Sequence, residues 1–153
     1  MEPISQTEHS LARGLWRSWL RSLRKSRAPQ SIDDICPWFD VDRYLSQTPE
    51  LRPEQAWSHF AGRGWRVGLS PHPWFDVDHY LSQSPDLAGL DPVTHFRRHG
   101  WRSGLDPHPL FDVNRYVVKV GDLQGSDDPL QHYLTFGAAR GISPHPLIDL
   151  DYL

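Results

Sequence analysis

The hexapeptide Pro37-Trp38-Phe39-Asp40-Val41-Asp42 returns 36 residues later as Pro73-Trp74-Phe75-Asp76-Val77-Asp78. It returns again as Pro109-Leu110-Phe111-Asp112-Val113-Asn114 and as Pro146-Leu147-Ile148-Asp149-Leu150-Asp151. A fixed period of 36, 36 and 37 residues marks a tandem array of small supersecondary units. A unit of this size cannot bury its own apolar face, so neighbouring units must stack. The units span residues 37–72, 73–108 and 109–145, with a partial fourth at 146–153; either this half-unit closes the third unit or the chain is the front of a longer protein. A segment at 1–30 and a linker at 31–36 precede them. Units one and two agree at 21 of 36 positions, too many for chance, and unit three carries one extra residue near Ser126-Asp127. Repetition also argues against catalysis by any copied residue, because an active site is normally built once.

Each unit reads as two short helices, giving an all-α chain with almost no strand. Asp40, Asp76 and Asp112 precede the stripes Val41/Tyr44/Leu45, Val77/Tyr80/Leu81 and Val113/Tyr116/Val117, the i, i+3, i+4 spacing of one helix face. A carboxylate before such a stripe is an N-cap, accepting backbone N–H groups at the positive end of the helix dipole. Thr48-Pro49 and Ser84-Pro85 end the first helix, since proline disfavours helical geometry in the residue before it; unit three has Val120-Gly121 instead. The second helix opens at Asp91-Pro92 and Asp128-Pro129, an N-cap followed by proline at the first helical position. Unit one has Gln55-Ala56 there, so its second helix starts earlier, near Pro53. Gly100 and Gly137 read as helix stops, as do Gly62, Gly64 and Gly104. The inward residues are Trp57/Phe60, Val93/Phe96 and Leu130/Tyr133. The proline-bounded linker between units is expected to be stiff and extended.

For 153 residues, one domain is the natural count. Hydrophobic content is only 38%, so the aromatics must supply much of the core. The expected seam aromatics are Phe39, Tyr44, Phe60, Trp65, Phe75, Tyr80, Phe96, Trp101, Phe111, Tyr116 and Tyr133. Trp65 and Trp101, one unit apart, either seal the seams or present rings to a protein or a sugar. A single cysteine, Cys36, rules out an internal disulfide and fits a reducing compartment. With no signal peptide visible and no run of about 18 apolar residues, the expected location is cytoplasmic.

Charge divides the chain. Residues 1–30 carry six basic and two acidic side chains, whereas 31–153 carry ten basic and seventeen acidic ones. In the first segment Leu11, Leu15, Trp16, Trp19, Leu20 and Leu23 alternate at helical spacing with Arg13, Arg17, Arg21 and Arg24. This basic amphipathic helix with interfacial tryptophans suits an anionic membrane surface. The competing readings are a cap over the first unit, the two roles in alternation, a mitochondrial-type address or a nucleic-acid contact. Acidic repeats disfavour the last, because phosphate binding needs a continuous basic track, and no nucleic-acid partner is expected.

Other chemistry reads as structure. Asp40/Asp42 and Asp76/Asp78 form Asp-x-Asp pairs that resemble a divalent-cation ligand set, but the repeated N-cap explains them better. His59, His95 and His132 share one register position, and His72, His108 and His145 another. Equivalent histidines one repeat apart lie about 10 Å from each other, the spacing of packed helices, too far to share an ion. No metal site or cofactor is expected, and no catalytic residue either: there is no nucleophile elbow or phosphate-cradling glycine loop. Cys36 has no basic sequence neighbour to lower its pKa and reads as a structural thiol.

The order Phe75-Asp76-Val77-Asp78, Tyr80-Leu81, Ser84-Pro85-Asp86-Leu87, Asp91-Pro92-Val93-Thr94-His95-Phe96 and Gly100-Trp101-Arg102 resembles a short bacterial repeat. That repeat occurs in tandem ahead of, or between, glycosyltransferase domains of cell-surface polysaccharide synthesis proteins, and beside sulfotransferase-like domains. A basic Leu/Arg-rich segment often precedes the first copy, as residues 11–27 do here. The resemblance covers about residues 37–153. The family's usual Tyr-Tyr is Arg43-Tyr44, His79-Tyr80 and Arg115-Tyr116 here, and its Glu-Gly-Arg is Val67-Gly68-Leu69, Ser103-Gly104-Leu105 and Arg140-Gly141-Ile142. The resemblance implies a genomic or molecular neighbourhood and no activity for these residues; together with the repeats and the basic helix it gives the expectation of a non-enzymatic scaffold peripheral to the cytoplasmic membrane, with a protein partner such as a glycosyltransferase. The alternative it implies is the non-catalytic N-terminal segment of a glycosyltransferase or sulfotransferase whose catalytic domain lies beyond Leu153.

Overall fold

Asp40 sits in extended backbone just before a helix, its carboxylate accepting the Arg43 N–H at 2.9 Å. That helix is α1, Val41–Gln47. The same arrangement opens α3, Val77–Gln83, where Asp76 accepts from His79 N–H, and α5, Val113–Val120, where Asp112 accepts from Arg115 N–H. The second helix of the first repeat is α2, Ala56–Gly62, entered through a 3-10 turn at Pro53–Gln55. Its counterparts are α4, Pro92–His95, capped by Asp91, and α6, Pro129–His132, capped by Asp128. The structure, a computed structural model, describes residues 35–148, and these are all-α. The expected basic helix with Leu15, Trp16, Trp19, Leu20, Leu23, Arg13, Arg17, Arg21 and Arg24 lies outside the described residues, as does the end of the partial fourth unit.

α4 and α6 do not stop at their glycines. Each widens into a π turn, Phe96–Gly100 and Tyr133–Gly137. Gly100 keeps a right-handed helical backbone, φ −60°, and the reversal comes four residues later at Gly104, φ +77°. The corresponding reversals are at Gly68 and Gly141. Gly64, Gly100 and Gly137 serve clearance instead: a Cβ at any of them would overlap the hydroxyl of Tyr44, Tyr80 or Tyr116.

The linker is not extended. His72-Pro73-Trp74-Phe75 closes a turn in which Phe75 N–H donates to the His72 carbonyl at 3.0 Å, and the turns at His108 and His145 repeat it. Proline fixes the second turn position at a helical φ, and the histidine side chain completes the geometry. His72 Nδ1 accepts the Trp74 N–H at 2.9 Å, and His108 and His145 accept likewise from Leu110 and Leu147. Cys36 heads the equivalent first turn, with Phe39 N–H donating to its carbonyl. Consecutive turns are joined by Asp40 N–H to Pro71 O, Asp76 N–H to Pro107 O and Asp112 N–H to Pro144 O, all 2.8–2.9 Å. The Gln47 and Gln83 amides clamp the following linker through paired bonds to Ser70 and Asp106 backbone.

The aromatic core is organised first within each repeat. Phe39, Tyr44 and Phe60 touch one another at ring-centroid distances of 5.4–5.9 Å. Phe75, Tyr80 and Phe96 form the second such triad, and Phe111, Tyr116 and Tyr133 the third. All nine are buried. Of the rings expected at the seams, Phe75, Phe111 and Tyr133 also meet the preceding repeat, while the described ring contacts of Phe39, Tyr44, Phe60, Tyr80, Phe96 and Tyr116 stay within their own repeat. The seams are made by Trp38, stacked 5.6 Å from Phe75, and by Trp74, set edge-on against Phe111 and Tyr133. Trp38 also reaches Asp128, 90 residues away, so a contact passes from the first repeat directly to the third.

Candidate functional site

Three polar clusters recur or converge within the compact region Cys36–Leu153. In the first, a tyrosine hydroxyl is held between a histidine and a glycine. Tyr44 bonds His59 Nδ1 at 2.8 Å, Tyr80 bonds His95 Nδ1 at 2.6 Å, and Tyr116 bonds His132 Nδ1 at 2.6 Å. Burial pushes the Tyr44 phenol up to about 12 and raises Tyr80 and Tyr116 as well. Burial likewise lowers His95 and His132. The Tyr80–His95 and Tyr116–His132 pairs are therefore neutral near pH 7, and in each repeat the tyrosine–histidine bond tethers two helices. His132 is fully buried, and its Nε2 has no hydrogen-bond partner among the described residues.

The second cluster is centred on Asp128, which is completely buried. One carboxylate oxygen caps α6 through Gln131 N–H. The other accepts the Trp38 indole N–H at 3.1 Å and Arg97 Nε at 2.9 Å, while Arg97 also pairs with Asp127 at 3.0 Å. A carboxylate has the lone pairs to accept all of these, and a buried charge needs them. One residue from each repeat meets here. Cys36 lies close enough to feel both charges, but burial dominates and pushes its thiol up to about 12. The thiol is inert at neutral pH.

The third is an open cleft of about 390 Å³ between the first turn and α6, lined by Pro37, Trp38, Phe39, Asp40, His72, Gln131, Leu134 and Thr135. Burial lowers the His72 pKa, with Asp40 opposing and Arg43 reinforcing that effect. A neutral imidazole whose Nδ1 is engaged, beside a carboxylate engaged in capping, can hold a ligand but offers no nucleophile. A smaller cleft of about 200 Å³ opens at the first seam beside Asp91. Among the described residues no three His, Cys, Asp or Glu side chains gather as a metal would require.

The expected N-caps Asp40, Asp76, Asp112, Asp91 and Asp128 all accept backbone N–H bonds at helix starts. Only Asp128 does more than local work. Trp65 and Trp101 are half-buried; each indole donates to a carbonyl of its own repeat, Ala61 and Arg97, and each ring lies under its neighbour's guanidinium, Arg66 or Arg102. Sequence reasoning missed Trp38 and Trp74 as seam residues. The available signal was the one turn position where tryptophan alternates with Leu110 and Leu147. No helix among the described residues is long and apolar enough to cross a membrane. No protein-family model, curated protein or solved structure matches the chain.

Proposed function

We propose that the chain is a non-enzymatic scaffold: a tandem array of two-helix units, fronted by the basic segment 1–30, that holds a protein partner at the cytoplasmic face of a membrane. The partner class is a glycosyltransferase of surface-polysaccharide assembly, the setting in which similar repeats occur. One observation carries the non-enzymatic part. The capping aspartates, the turn histidines and the tethered tyrosine–histidine pairs are each engaged in structure, and the lone thiol is buried and protonated. The membrane part rests on the tryptophans and arginines of residues 13–24, whose apolar and cationic sides fit headgroup depth and lipid phosphate respectively.

Co-sedimentation of the full chain with anionic and with neutral vesicles tests this reading. The expected result is retention by anionic vesicles only, falling at high salt and lost when Arg13, Arg17, Arg21 and Arg24 are all replaced by glutamate. Equal retention of the wild-type chain and that variant contradicts it.

A further inference from the structure

Of the three tyrosine–histidine tethers, the third is closed to solvent. His59 and His95 are half-buried, whereas His132 is fully buried. The register position four residues after each tether histidine carries the difference: Arg63 and His99 in the first two repeats, Phe136 in the third. Arg63 and His99 are exposed. The Phe136 ring instead packs 5.5 Å from the His132 imidazole, with the Arg140 guanidinium lying over it at 5.2 Å. The Tyr116 hydroxyl bonds His132 Nδ1 at 2.6 Å, and Nε2 has no hydrogen-bond partner among the described residues.

That closure decides where a proton can go. A neutral imidazole has one N–H, and an imidazolium has two. At the half-buried His59 and His95 the second N–H can reach water. At His132 it would be a charged donor buried without an acceptor, an arrangement that folded proteins avoid by refusing the charge. The surrounding charges do not reverse this. Arg140 opposes a second positive charge and Asp122 favours one, but burial is the largest influence and the pKa is lowered. The titratable group facing it from α5 is Tyr116, whose phenol is raised by burial and stays neutral. His132 ends α6, a single turn that begins at the cap Asp128. The same turn thus carries the closed imidazole and the carboxylate that holds the Trp38 indole and Arg97. Exposing the one takes the other out of its contacts.

We propose that His132 is an acid-sensitive latch: protonation at its Nε2 opens α6 and releases the first repeat from the third. The folded imidazole resists the proton and the opened one takes it with ordinary affinity, so closure is complete above about pH 6.5 and weakens below it. Between pH 7 and 5 the opening equilibrium should grow about twentyfold. Native-state hydrogen exchange of the full chain at the two pH values, corrected for intrinsic exchange rates, measures this. Protection of residues 129–137 should fall by that factor, and the Trp38 indole N–H should lose protection in step. Phe136→Gln, which puts a polar side chain where Arg63 and His99 stand, lets water reach Nε2 without touching the tether. His132→Gln removes the titrating group. Either variant should hold the fall below about threefold. In Phe136→Gln the imidazole, followed by NMR, should titrate at about 6.5 with α6 still protected. Constant protection in the wild-type chain, a full fall in either variant, or a Trp38 indole that stays protected would overturn the proposal. So would a wild-type His132 that titrates at the ordinary value while residues 129–137 remain protected.

Discussion

At Gly100 a hydrogen atom decides whether a repeat closes. The Tyr80 hydroxyl passes so close that a methyl group there overlaps it, whereas Gly62 faces open space. Gly100→Ala should therefore cost about 1–3 kcal/mol by overpacking, while Gly62→Ala, which removes glycine's backbone entropy cost from α2, should gain up to about 1 kcal/mol. Urea denaturation of the two variants measures the contrast, and similar midpoints would refute it. The imidazoles add a pH dependence. His72, His95, His108 and His132 are all lowered, with burial the largest cause in each. The unfolded chain then binds protons that the folded chain refuses, so their contribution is complete above the unfolded value of about 6.5 and is lost as pH falls below it. Calorimetry should show Tm falling between pH 6.5 and 5, above the range where ordinary carboxylates titrate. A Tm flat across that window would contradict the assignment.

Helix starts were the part of each element most legible in the sequence, because a cap is local: Asp40, Asp76 and Asp112 each precede an apolar stripe and meet an N–H three residues on. What lay beyond local reach was not legible. The Tyr–His tethers join residues 15 or 16 apart on different helices. Gly100 and Gly137 were legible as special positions but not as clearance for a tyrosine, and the π turns in α4 and α6 leave no compositional mark. The linker was misread because proline suits both an extended chain and the second position of a turn; the hydrogen bonds of His72 choose the turn. Two second-helix caps that look alike in sequence differ in burial, and this yields a prediction. Asp91→Ala removes a half-exposed cap and should cost about 1 kcal/mol. Asp128→Ala also removes the buried acceptor shared by the Trp38 indole and by Arg97, whose side chain is only 13% exposed, and should cost about 2–4 kcal/mol. Equal costs by chemical denaturation would show that the Trp38–Asp128–Arg97 cluster adds nothing to capping.

Across the whole molecule, the contact from repeat one to repeat three sets this array apart from a stack in which each unit meets only its neighbours. The bond between Trp38 and Asp128, 90 residues apart, leaves no trace in the spacing of the sequence repeats. If the cluster of Trp38, Arg97 and Asp128 ties the three repeats into one cooperative body, damage to the first repeat must be felt in the third. Native-state hydrogen exchange on the Trp38→Ala chain tests this most directly. The account predicts loss of amide protection in α6 and its π turn, residues 129–137, as large as the loss in α1. Loss confined to the first repeat and the turn beneath it, with residues 129–137 protected as in the wild-type chain, would contradict it.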